Sequence, residues 1–115
     1  MQHLSWETVK KEQMNDKFWR KVVNGEKITA AQLGFAKGGS VPLHHHVSEQ
    51  VSIIVQGAIR FEVDGKEVTV RAGEVLVIPS DLPHKADALE DSSVIEIFSP
   101  IRLDWIQGTD NYLKK

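Results

Sequence analysis

The sequence predicts an all-β fold, a single sandwich or barrel built from short antiparallel strands. Seven β-prone runs, each bounded by turn residues, follow one another along the chain: "FWRKVV", "KITAAQLGFA", "VSIIV", "AIRFEV", "KEVTVR", "EVLVIP" and "SVIEIF". Short strands at this spacing are typical of β-sandwiches and barrels. Only "WETVKKEQMNDKFW" and "LDWIQGTDNYLKK" could supply a 3.6-residue helical period. We expect both to be short or irregular additions to the barrel.

The clearest local element is a hairpin over residues 59–70. Apolar and polar side chains alternate in "IRFEV" and again in "VTV", as they do in strands with one buried face. Asp64 and Gly65 stand between these runs. Both central positions of a type I′ turn need positive φ, which Asp-Gly pairs tolerate. The sequence therefore predicts a two-residue turn at this point.

Composition excludes several classes of protein. The 115 residues suit one domain, and 41% hydrophobic with 26% charged residues is ordinary for a globular chain. The net charge is −2 and the basic residues are dispersed, so no nucleic-acid partner is expected. Cysteine is absent, which excludes disulfides and thiolate metal sites. Without a signal peptide or a bilayer-length apolar run, we expect a cytoplasmic protein and no membrane partner.

Three of the five histidines stand in a row in "LHHHVSEQ", residues 43–50. Residues i and i+2 of a strand share a face, so His44 and His46 should point one way and His45 the other. A run of histidines is also common in a solvated polar loop. The triplet alone therefore does not decide between a metal site and a loop.

Two further positions extend the histidine pattern. The same parity reaches Gln50 and puts Glu49 on the opposite face, unless a register shift of one residue exchanges them. Downstream, Pro83 stiffens a turn that presents His84. These residues could direct imidazole nitrogens and an amide oxygen towards one point.

Taken together, two stretches resemble the two cupin motifs. They are "GGSVPLHHHVSEQVSIIVQG" and "GEVLVIPSDLPHKADA", separated by residues 58–72. The resemblance spans about residues 28–100 and implies a jelly-roll barrel, also called a double-stranded β-helix. It implies one domain over residues 1–115, with an N-terminal arm 1–27 and a C-terminal extension 101–115.

The cupin resemblance also implies a ligand set for one divalent metal ion: His44, His46, position 50 and His84. The family's usual acidic residue is replaced here by Gln50. Imidazole and amide ligands suit Zn, Ni, Mn, Co or Fe. A neutral amide leaves the charge of the ion uncompensated, which favours Lewis-acid chemistry over iron-dependent oxygen chemistry.

A closer resemblance is to the small single-domain cupins of pectin degradation, which linearise 4,5-unsaturated uronates. It rests on chain length, on "HxHxxxQ" and on "VIEIFSPIRLDW", and it implies that Glu96, Phe98 and Arg102 line the pocket and assist ring opening. Glu96 stands where the relatives have Asp. From the residues alone, Glu96 faces either inward or outward. Arg102 either anchors a substrate carboxylate or is a surface or dimer-interface cation.

We therefore expect metal-dependent isomerisation or ring opening of a small sugar acid or related carbonyl compound. A metal-dependent oxygenase and a non-catalytic ligand-binding or regulatory module remain open alternatives. Small cupins pair through their N-terminal strand region, so we also expect a homodimer. Five aromatic side chains outside the motifs could pack on a partner or on their own barrel: Trp6, Phe18, Trp19, Trp105 and Tyr112.

Overall fold

Two antiparallel sheets of six and four strands form the fold in the computed structural model, which describes residues 1–110. The strands are β1 Glu12–Asn15, β2 Phe18–Asn24, β3 Thr29–Phe35, β4 Ser40–His44, β5 Glu49–Gln56, β6 Ala58–Val63, β7 Lys66–Arg71, β8 Val75–Ile78, β9 His84–Ala88 and β10 Ser92–Ser99, and helix α1 is Leu103–Gln107. The larger sheet has the order β1-β2-β3-β10-β5-β8 and the smaller one β4-β9-β6-β7. The predicted all-β jelly-roll fold is confirmed.

Alternation along the strands places the core between the sheets. On β5, Gln50, Ser52 and Ile54 are buried, whereas Val51 and Ile53 face the opposite side and are only half-buried. The buried apolar residues form one cluster: Met14, Phe18, Ala31, Leu33, Phe35, Ile54, Ile59, Phe61, Val70, Ile78, Ala86, Ala88, Val94 and Phe98. This cluster fills the space between the two sheets.

The predicted hairpin is formed by β6 and β7, with Val63 paired to Lys66. Asp64 has φ 49° and Gly65 has φ 79°, so both central residues adopt the left-handed conformation that a type I′ turn requires. The turn prediction is confirmed.

The two candidate helical segments fold differently from each other. The N-terminal one contributes β1, and the C-terminal one contributes α1, which has five residues, none of them buried. Arg20 on β2 ties the C-terminal segment to the barrel, because its Nη1 lies 2.8 Å from Asp110 Oδ2 and its guanidinium lies 4.4 Å from the Trp105 ring centroid. No helix within residues 1–110 is long and apolar enough to cross a membrane.

Three of the five singled-out aromatics pack within their own chain. Phe18 stacks on Phe35 with ring centroids 4.6 Å apart, and Trp105 meets Phe98 edge-on at 5.0 Å. Trp19 lies against Gly34, where the indole occupies the space that a Cβ would need. Tyr112 lies outside the described residues.

Candidate metal centre

Three histidines meet at one end of the barrel. His44 is the last residue of β4 and pairs across the strands with His84, the first residue of β9, while His46 lies in the loop before β5. One ring nitrogen from each of the three lies within 4.8 Å of the others. This spacing lets the three residues hold a single metal ion.

Hydrogen bonds set the direction in which each imidazole ring points. In all three rings Nδ1 lies 2.8 Å from the backbone carbonyl oxygen of a residue two positions away. A carbonyl can only accept, so Nδ1 carries the proton and a neutral ring keeps its lone pair on Nε2. His84 Nε2 is buried and has no hydrogen-bond partner among the described residues. A buried, unpaired acceptor is costly, and a cation would satisfy it.

Gln50 completes the cluster from the neighbouring sheet. Its side-chain Nε2 donates to Ser52 Oγ at 2.9 Å and to Glu96 Oε2 at 2.6 Å, which leaves Oε1 directed at His46 Nε2, 3.1 Å away. Both of these facing atoms are acceptors when the imidazole is neutral. Two lone pairs at this distance repel each other unless a cation lies between or beside them. The donor set therefore fits a divalent metal ion.

The two neighbouring alternatives lie outside this cluster. His45 is exposed and its Nδ1 lies 3.6 Å from Asp81 Oδ1, and Glu49 is exposed on the far face of β5. His44 and His46 share a face as strand parity predicts, but residues 44–46 are not one strand, because β4 ends at His44 and residues 45–48 form a loop. His46 is aimed inward by its hydrogen bond within that loop rather than by a strand.

Glu96 faces inward, so the outward orientation considered from the sequence is wrong. Its side chain is 9% exposed and its Oε2 also accepts from Ser52 Oγ at 2.6 Å. Burial raises the pKa of the Glu96 carboxyl group, against the lowering effects of the Ser52 hydrogen bond, the Arg102 charge and the Gln50 hydrogen bond. This acidic group lies directly behind the Gln50 amide, a neighbour that the sequence pattern does not reveal.

Arg102 is buried rather than displayed at the surface. It is 2% exposed, and its Nε and Nη2 donate to the two carboxylate oxygens of Asp104 at 2.9 and 2.8 Å. Its guanidinium also lies 4.8 Å from the Phe98 ring centroid and 4.3 Å from that of Trp105. Arg102 is therefore not a surface cation. Sequence reasoning missed Asp104, although the short spacing "RLD" could have suggested the pair.

Phe98 lies between Arg102 and His46 and contacts both side chains. It is fully buried, and its ring meets that of His46 edge-on at 5.6 Å between centroids. A cavity of about 40 Å³ lies at this end of the barrel, with polar lining from His44, His84, Gln50, Glu96 and Arg102 and apolar residues elsewhere. Phe98 and His46 are not among its lining residues. Its volume suits an ion and one or two water molecules.

Comparison with known proteins assigns the fold to a family. The family model described as "Cupin domain" matches residues 32–99. The chain belongs to the cupin family. No curated protein matches the sequence significantly.

Solved structures of other cupins resemble this one closely. An RmlC-like cupin from Shewanella frigidimarina is 28% identical, with a TM-score of 0.84 over 91% of this chain and 96% of its own. KdgF from Halomonas sp. is 32% identical, with a TM-score of 0.78 over 84% of this chain and 90% of its own. A mutant oxalate decarboxylase from Bacillus subtilis has a TM-score of 0.76 over 84% of this chain and 29% of its own, but at 19% identity it supports the fold alone.

The metal-free histidines of this cupin favour the neutral form. Burial, followed by the charge of His84, lowers the pKa of His44 to about 3. Burial, followed by the charge of Arg102, lowers the pKa of His46 to about 4. Burial also lowers the pKa of His84. At neutral pH all three rings are therefore uncharged and can donate a lone pair.

These shifts predict an acid-sensitive metal-free protein. Histidines of the unfolded chain have a pKa of 6.5 and take up protons at a higher pH than the folded cluster does. The contribution of the cluster to folding stability is therefore complete above pH 6.5 and is lost as the pH falls towards 4. The thermal midpoint of the metal-free protein should fall over this range. His44→Asn should make the fall shallower, and the difference between the two proteins isolates His44 from the opposing effect of Glu96. Equal slopes would contradict the burial of a neutral His44.

Proposed function

We propose that this cupin binds one divalent metal ion through His44, His46, His84 and Gln50 and isomerises a small sugar acid. The reaction that fits best is conversion of a 4,5-unsaturated uronate monosaccharide to its open-chain keto form. The observation that carries the proposal is a three-histidine cluster backed by an amide and a buried carboxyl group. The sequence resemblance to uronate-linearising cupins and the structural likeness to KdgF support the choice of a sugar acid.

The chemistry is an isomerisation in which no atom is gained or lost. The C1 hydroxyl loses a proton as the bond between C1 and the ring oxygen breaks, and C4 gains a proton as the C5 enol becomes a ketone. A bound divalent ion supplies positive charge where oxygen becomes negative. The protein must then orient the sugar and move one proton.

Glu96 is the group we assign to proton transfer. Its raised pKa makes both protonation states accessible nearer neutral pH, which suits a general acid–base. Both of its hydrogen bonds with Gln50 and Ser52 are made by Oε2. Oε1 is the oxygen we assign to exchange with the substrate.

Arg102 lies in the wall of the proposed site, and Phe98 packs against Arg102 without lining the cavity itself. The sequence suggested that Arg102 grips the substrate carboxylate, but its Nε and Nη2 already bind Asp104. We propose that Arg102 supplies positive charge at the cavity wall and that a substrate carboxylate competes with Asp104 for it. Phe98 supports that wall by packing against both Arg102 and His46.

We propose that substrate entry enlarges the cavity beside the histidines. A cavity of about 40 Å³ is far below the roughly 300 Å³ of the smallest usual ligand pockets. Helix α1 is the element we expect to move, because Trp105 lines the cavity and no residue of the helix is fully buried. This movement must break the contacts of Trp105 with Phe98 and Arg20. Its displacement would also release Asp104 from Arg102.

The activity test follows loss of the ultraviolet enol-ether absorbance of a 4,5-unsaturated uronate. Protein loaded with metal should accelerate the loss above the spontaneous rate, and chelated protein should not. A fully loaded protein that leaves the spontaneous rate unchanged would exclude this substrate.

We also propose that the protein is a homodimer. Phe18 and Trp19 of the N-terminal strands pack within their own chain, so we propose an interface at the β5–β8 end of the outer face of the six-stranded sheet rather than in the N-terminal strand region. Val55, Val75 and Val77 on adjacent strands are 58%, 56% and 54% exposed, and apolar patches of this kind are typical of interfaces. Light scattering should give twice the chain mass for the wild type and for Val68→Lys on the other sheet. Val77→Lys should give a monomer. A monomeric wild type at micromolar concentration would contradict the dimer.

A further inference from the structure

We propose that Ser52 and Glu96 act as a positioning pair that orients the Gln50 amide with its oxygen towards the histidines and places a negative charge one hydrogen bond behind it. The proposal deepens the metal site described above and rests on it. Ser52 has no role in the family resemblance or in the sequence predictions. It is assigned here from the contacts it makes.

Cross-strand pairing brings these three side chains together. Ser52 pairs with Glu96 and Gln50 with Phe98 in the register of β5 and β10. Gln50, Ser52 and Glu96 all face the barrel interior, at 4%, 0% and 9% exposure. Water has little access to any of them, so they must satisfy one another.

The hydrogen bonds form a closed triangle. Gln50 Nε2 donates to both Ser52 Oγ and Glu96 Oε2, and Ser52 Oγ donates to the same carboxylate oxygen. Because that oxygen only accepts, the amino end of the amide must face it. The carbonyl end is then fixed on the opposite side, 3.1 Å from His46 Nε2. An isolated glutamine could rotate its amide, and this one cannot do so without breaking two hydrogen bonds.

The same triangle explains how a neutral ligand set can bind a cation inside the barrel. Three imidazoles and an amide carry no charge, and burying a divalent ion without a counter-charge is costly. In its ionised state, Glu96 supplies that counter-charge through the polarised amide of Gln50. Groups that orient metal ligands from behind typically change metal affinity by about 10–100-fold when they are removed.

The test measures Co²⁺ binding to the full chain by its visible absorption, together with the thermal midpoint of each metal-free variant. Ser52→Ala should weaken Co²⁺ binding by about 10–100-fold while the protein remains folded. Ser92→Ala is the matched control, because Ser92 is also buried but bonds to the backbone of Ala58 and Glu90. It should leave Co²⁺ affinity unchanged.

A charge exchange gives the sharper result. Gln50→Glu alone places two carboxyl groups in contact and should lower the metal-free thermal midpoint. Glu96→Gln alone should weaken Co²⁺ binding. Combining Gln50→Glu with Glu96→Gln reverses the pair, so the midpoint should recover and Co²⁺ should bind at least as tightly as it does to the wild type. A merely structural triangle would change midpoints without this recovery of affinity.

The outcomes separate the two proposals. Wild-type affinity in Ser52→Ala and Glu96→Gln, or a double variant that binds no better than Glu96→Gln, would overturn the positioning role and leave the metal site standing. If the wild type binds no Co²⁺ at all, the metal site fails and the positioning role with it. Should Glu96→Gln fail to fold, Ser52→Ala with its Ser92→Ala control decides the question.

Discussion

Replacing His46 or His84 with alanine is expected to abolish metal binding, with a loss of affinity greater than the roughly 100-fold seen when an outer group is removed. Each variant deletes one of three imidazoles whose ring nitrogens converge within 4.8 Å. For His84 the deleted Nε2 is buried without a partner among the described residues. Metal content after gel filtration, measured by elemental analysis, gives the result.

The adjacent histidine provides the control for this experiment. His45→Ala should retain metal nearly as well as the wild type, because His45 is exposed and faces Asp81 rather than the cluster. Loss of metal in His45→Ala together with retention in His44→Ala would show that the wrong face of the "HHH" segment has been assigned.

Glu96→Gln is expected to lower turnover of the unsaturated uronate by about 100-fold or more, the usual contribution of a general acid–base. The assay must be run at metal concentrations that saturate each variant, because the same substitution is expected to weaken metal binding. The amide introduced by this substitution can still accept a hydrogen bond from Ser52, but it cannot exchange a proton with substrate.

Glu49→Gln is the matched control for this substitution. It makes the same chemical change at an exposed residue on the outer face of β5 and should leave turnover unchanged. Normal turnover by metal-saturated Glu96→Gln would retain the substrate but reject Glu96 as the proton carrier. Oxygen uptake by iron-loaded protein in place of this reaction would instead favour an oxygenase.

The strands predicted from sequence are those with strong β-formers and clear turns. All seven β-prone runs are strands in the structure, whereas β1, β4 and β9 had no signal. β4 contains Pro42 and a register irregularity between Val41 and His44. β9 reads "HKADA", whose alternating buried positions are His and Ala, and Ala is a poor β-former. Tertiary pairing with β6 decides its conformation.

The sequence motifs predicted which residues form the candidate site, but they could not predict the contacts between side chains that depend on how the strands pair. Gln50 and Glu96 are 46 positions apart, and only the pairing of β5 with β10 shows that they touch. The sequence left Arg102 open between a substrate anchor and a surface or dimer-interface cation, and only the short spacing "RLD" hints at its pairing with Asp104. The burial of Arg102 and its contacts with the Phe98 and Trp105 rings depend on where the C-terminal segment folds back onto the barrel. Local propensity does not determine that position.

The most direct test of the metal site is a crystal structure of metal-loaded protein with diffraction data collected at the absorption edge of the bound metal. We predict one anomalous peak per chain, in contact with His44, His46 and His84 Nε2 and with Gln50 Oε1, with His45 and Glu49 making no contact. A peak at His45 and Asp81, or no peak in protein soaked at saturating metal, would contradict the assignment of this end of the barrel as a metal centre.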